Sequence, residues 1–141
     1  MALETNHIVF AAIAIAGAAS LGVHFLIRKR ASRVVGGRPS LDAEEFAALF
    51  RTEEERALAP AIRDRLRRYI PVDPALVRPD DRLCEDLQLA AVDGLDANAF
   101  VLEVENLAGV KIPDQDAARM LTLRDIVSYV AAAARHKSTQ K

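Results

Sequence analysis

Residues 8–27 read IVFAAIAIAGAASLGVHFLI, twenty positions without a charge, and nothing else in the chain restricts its fold so tightly. At about 1.5 Å per residue, a helix of that length reaches roughly 30 Å, the thickness of a bilayer's hydrocarbon core. A helix packed on one side of a domain would carry a polar stripe. Here Ser20 and His24 are the only clearly polar interruptions. A cleaved secretory signal opens on a positive n-region, whereas this N-terminus offers Glu4 and no Lys or Arg. The run therefore predicts an uncleaved single membrane span. Arg28, Lys29, Arg30 and Arg33 follow it, so the N-terminus is expected outside and the rest in the cytoplasm, with these four cations at the membrane surface. Ala14, Ala18 and Gly22 lie four apart, a spacing that permits self-association of spanning helices. His24 is expected at the headgroup level, as a solvated contact.

Charge is divided along the chain. Of 19 basic residues, five (Arg28, Lys29, Arg30, Arg33, Arg38) lie in residues 28–39, leaving 14 against 19 acids from Ser40 onward. A basic collar and an acidic body disfavour a nucleic-acid partner. Cys84 is the single cysteine, which excludes an internal disulfide. His7, His24 and His136 have no ligand spacing, so no metal is expected.

Beyond the collar the patterning is helical. Residues 31–39 (ASRVVGGRP) are read as a linker broken by Gly36, Gly37 and Pro39. Ser40 is the expected N-cap of an extra helical segment over 40–55, with Phe46, Leu49 and Phe50 on one face. Thr52 and Glu55 form a capping-box pattern for a helix running to Ile70, kinked or restarted at Pro60. A proline-rich loop spans 71–83, a helix spans Leu95 to Ala108, and Gly109 closes it. A short acidic turn or helix follows Ile112-Pro113. Thr122 and Asp125 then open a last helix to about Ala134, with a frayed tail over 135–141. No period-2 strand pattern occurs. The fold class is all-α: one N-terminal transmembrane helix (1–30), then an extra helix and a bundle of three main helices plus a short one (56–134).

Arg82-Leu83-Cys84-Glu85-Asp86-Leu87, then Asp93-Gly94-Leu95-Asp96, then Ile112-Pro113-Asp114 and Thr122-Leu123 resemble the acyl carrier proteins in the same order. The resemblance covers about residues 56–131. It implies a four-helix carrier fold in which an EDL segment leads to a D-S-L-D motif. The serine of that motif carries 4′-phosphopantetheine in the family, and the corresponding residue here is Gly94, which has no side-chain oxygen. The loop at residues 88–92 is also about three residues longer than the family pattern. No other serine follows an Asp at a helix start. No cofactor is expected.

Carriers present an acidic second helix to basic patches on enzymes. Ten acids lie between Asp80 and Asp116 against Arg82 and Lys111, and such a field favours encounter with a basic partner. Asp93, Asp96, Glu103 and Glu105 are the expected partner-binding residues. Arg56, Arg63, Arg65, Arg67 and Arg68 form the opposite pole, available to anionic headgroups or to Glu54, Glu55 and Asp64. Cys84 is expected in half-buried packing. No nucleophile–base constellation or phosphate loop is present, so no enzyme is expected. The expectation is a membrane-tethered, arm-less docking module for a protein with a basic patch, an acyl- or lipid-handling enzyme or a membrane complex. The alternatives are a true carrier with non-standard attachment and a structural subunit of a membrane complex.

Overall fold

The computed structural model describes residues 2–89 and 94–140, with side chains from Ala19 onward. Its α-helices are α1 (Ala2–Val35), α2 (Ala43–Ala47), α3 (Glu53–Arg65), α4 (Leu95–Ala108), α5 (Asp114–Ala117) and α6 (Leu123–Thr139). Among the described residues there is no strand beyond one isolated bridge, Arg82 to Thr122.

Caps set most of the helix boundaries. Thr52 Oγ1 accepts the Glu55 N–H at 3.2 Å while Glu55 Oε2 accepts the Thr52 N–H at 3.1 Å, so α3 starts at the capping box read from sequence. Thr122 and Asp125 repeat the device for α6 at 3.2 and 2.9 Å. At α2 the cap is Asp42 rather than Ser40, in a box with Glu45 at 2.8 and 2.9 Å; a carboxylate is the stronger acceptor for an orphan N–H. Pro60 does not end α3. The helix tightens into a 3₁₀ turn at Leu66–Arg68 instead of reaching Ile70 as an α-helix. Gly109 ends α4 at φ 66°, a left-handed conformation that glycine adopts without a Cβ penalty. α6 continues to Thr139, past the expected Ala134.

α3 is the central element, packed on α2, α4 and α6. Phe46, Ile62, Leu66, Phe100, Leu123 and Val127 are fully buried between them, each contributing about 1.5–3 kcal/mol relative to exposure. Phe46 and Phe50 meet edge to face at 5.4 Å, and the burial of both rings in the common core holds α2 on the bundle.

Two N-terminal expectations change. Residues 31–39 do not form a free linker. α1 runs on to Val35, and Ala31 and Val35 are fully buried. The Arg38 guanidinium then grips Asp81, only 7% exposed, at 2.7 and 2.8 Å. Nor is the expected transmembrane helix found: among the described residues no helix is long and apolar enough to cross a membrane. The helix does not stop at the basic collar but carries Arg28, Lys29, Arg30 and Arg33 within it and ends inside the body. This overturns both the single span and the outside-to-cytoplasm topology built on it. Ala14 and Ala18 of the small-residue spacing lie outside the described side chains.

Candidate functional site: the start of α4 and the charged faces beside it

Gly94 stands as N-cap of α4 at φ −73° and ψ −4°, exposed. Those angles suit any L-residue, and a Cβ built there meets nothing within 4 Å. Neither backbone conformation nor crowding demands a glycine at this position. Asp96 follows in the first turn of α4, where a negative charge complements the helix dipole. Asp93, and residues 90–92 of the longer loop, lie outside the described residues. Ser128, part-buried on α6, donates its hydroxyl to Glu55 Oε1 at 2.7 Å.

The acids expected to meet a partner separate into different roles. Glu103, its side chain 19% exposed, is turned toward the end of α3. Its Oε1 accepts the Tyr69 hydroxyl at 2.5 Å and the Arg68 guanidinium at 2.9 Å. Tyr69 first, then Arg68, hold the Glu103 carboxyl below its ordinary pKa, and the same bond pushes the Tyr69 phenol up. Glu105, 11% exposed, accepts the Ile112 N–H at 2.7 Å and Lys111 Nζ at 2.9 Å. The Ile112 amide and then Lys111 depress its pKa. Both acids tie α4 to its neighbours.

The wider acidic field is also largely neutralised. Asp80 is held by Arg124 at 2.6 and 2.9 Å, which lowers the Asp80 pKa and raises that of Arg124. Asp81 pairs with Arg38, Glu85 with Arg82, and Asp86 accepts the Arg82 N–H. Asp116 accepts the Tyr129 hydroxyl. Among the described residues, the side chains of Asp96 and Asp114 alone of that field are left without a hydrogen bond or ion pair. Sequence reasoning missed Tyr69, Arg68 and Arg124 as the groups that consume the acids. A charge count carries no signal for pairs so far apart in the chain.

The arginine pole divides too. Arg63 is buried, its guanidinium 4.4 Å from the Phe46 ring centroid and donating to Leu41 O at 3.0 Å. Burial lowers its pKa. Arg56 donates to Phe50 O. Arg65, Arg67 and Arg68 remain at the surface, 41, 64 and 67% exposed. Arg28, Lys29, Arg30 and Arg33 are exposed along the last turns of α1. Arg28 and Lys29 border an open groove of about 680 Å³ against Val72 and Leu76. Cys84 is exposed rather than half-buried; Leu83 and Leu87 fill the core beside it. Among the described residues no group of His, Cys, Asp and Glu could hold a metal ion.

No family model matches the chain. Individual proteins do. It is 32% identical over 69 residues to an acyl carrier protein of Campylobacter hominis, covering 49% of this chain and 84% of that protein. It is 35% identical over 63 residues to an acyl carrier protein of Helicobacter hepaticus, 45% of this chain and 79% of the relative. An acyl carrier protein of Bdellovibrio bacteriovorus is 31% identical over 74 residues, 52% of this chain and 91% of the relative.

Proposed function

The chain belongs to the acyl carrier protein family, and from that premise we propose that it works without a phosphopantetheine arm, as a non-catalytic docking module for an acyl- or lipid-handling enzyme. The observation that carries the proposal is Gly94. Attachment as a phosphodiester needs a side-chain oxygen at the head of α4, and this position has none although its surroundings leave room for one. Of the two serines from α3 to α6, Ser128 is engaged by Glu55 and Ser138 donates to the Ala134 carbonyl near the end of α6. The residues present do not fit the group, so no thioester step follows. What remains is the carrier's shape, a rigid helical body whose α4 and α3 faces meet another protein.

Intact-mass spectrometry of the full chain, co-expressed with a phosphopantetheinyl transferase, tests this. The natural sequence is expected to keep its unmodified mass, and Gly94→Ser to gain one arm, because nothing crowds the new side chain. An arm on the natural sequence, at any residue, overturns the proposal and makes the chain a carrier with non-standard attachment. A Gly94→Ser chain that folds and stays unmodified would show that more than the serine side chain has been lost.

A further inference from the structure

We infer that the end of α3 together with the exposed face of α4 forms a docking surface for an acidic, amphipathic protein segment. The polarity is the reverse of the basic partner that a count of acids suggests. Arg65, Arg67 and Arg68 project outward at 41, 64 and 67% exposure, while Glu103, which faces two of them, lies behind at 19%. What a partner meets there is three guanidinium groups, with the Glu103 carboxylate beneath them and the exposed Asp64 carboxylate beside Arg67.

Two shallow hollows share Arg65 and Arg68. One, of about 480 Å³, is completed by Glu103, Asn106 and Leu107; the other, of about 250 Å³, by Ala61, Asp64 and Arg67. Arg65 has donors to spare. Its nearest acidic atom, Glu103 Oε2, is 3.7 Å away, beyond hydrogen-bond distance, and among the described residues the Arg65 guanidinium donates no hydrogen bond. A guanidinium fork with open donors matches a carboxylate in bidentate geometry.

The neighbouring α4 surface chooses among anionic partners. Leu102, 52% exposed, and Asn106 stand one turn apart on the outer face of α4. Three guanidinium charges against Asp64 and Glu103 leave a small local surplus of cations. A polyanion needs a longer stripe of cations than that. An amphipathic helix that brings carboxylates to Arg65 and Arg68 and an apolar side chain to Leu102 matches both halves of the surface.

This inference rests on the docking role proposed above, yet the two fail separately, since the arm is read by mass and the surface by binding. The test is a titration of the full chain, followed by backbone amide NMR, with three probes: a helical peptide bearing Glu and Leu on one face, its Glu→Lys counterpart, and phosphatidylglycerol vesicles. The Glu peptide is expected to shift Arg65, Arg68, Leu102 and Asn106, and to bind more weakly as salt rises. The paired change Arg65→Gln and Arg67→Gln, which spares the Arg68–Glu103–Tyr69 cluster, is expected to weaken it about tenfold. Leu102→Ala keeps every charge and is expected to weaken it several-fold. Equal or tighter binding of the Lys peptide, shifts centred elsewhere, or a response of these arginines to vesicles and not to the peptide would each overturn the inference.

Discussion

Gly36 and Gly94 are both glycines beside a helix end, and their neighbours give them opposite meanings. A Cβ on Gly36 would sit 2.4 Å from the Ser32 carbonyl oxygen, a backbone atom that cannot step aside. Gly36→Ala is therefore expected to lower unfolding free energy by about 1–3 kcal/mol, read from urea midpoints. Gly94→Ser meets nothing and is expected to stay within about 0.5 kcal/mol of the natural chain in the same measurement. Glu105 offers a pH test. Its folded pKa lies below the ordinary 4.5 because of Ile112 and Lys111. The stability it contributes is thus present above about pH 4.5 and lost as pH falls through the depressed value. Glu105→Gln can still accept the Ile112 N–H but does not titrate. The gap between urea midpoints at pH 7 and pH 3 is expected to narrow in this variant.

Among the elements, α2 is only five residues long, too short to persist alone. It is held by Phe46, fully buried beneath the Arg63 guanidinium, and by the Arg124 donation to Leu49 O at 3.0 Å. Phe46→Ala is expected to cost about 3–5 kcal/mol, with amide exchange rising first in residues 41–50. An unchanged exchange pattern there would show that α2 does not depend on this anchor. The starts of α3 and α6 are legible in the sequence, since Thr52 with Glu55 and Thr122 with Asp125 bond across three residues. The start of α2 was misplaced by two residues because two acceptors, Ser40 and Asp42, compete for one set of orphan N–H groups.

For the molecule as a whole, α1 divides at Ala31. From Ala19 to Arg30 its described side chains are exposed, apart from half-buried Ile27, whereas Ala31 and Val35 belong to the core. A chain beginning at Ala31 is expected to keep its unfolding free energy, read from urea midpoints, to within about 0.5 kcal/mol. A chain beginning at Ser40 also loses Val35 and Arg38, and leaves Asp81 buried without its cation. That loss is expected to cost about 3–5 kcal/mol. Equal midpoints for the two truncations would show that residues 31–39 are a linker after all.

Read as a string, the chain already determined its helical character, its main caps, the Gly109 stop and the missing oxygen at position 94. These depend on covalent structure or on bonds reaching no more than a few residues. The acyl-carrier pattern was likewise visible in the order of its short motifs. Only the folded chain decided which charges survive at the surface, because Arg38–Asp81, Asp80–Arg124 and Glu54–Arg135 close over 43, 44 and 81 residues. It also decided where α1 ends. Hydropathy counts residues within a window, whereas the end of α1 is set by Val35 finding a place in a core assembled from distant helices.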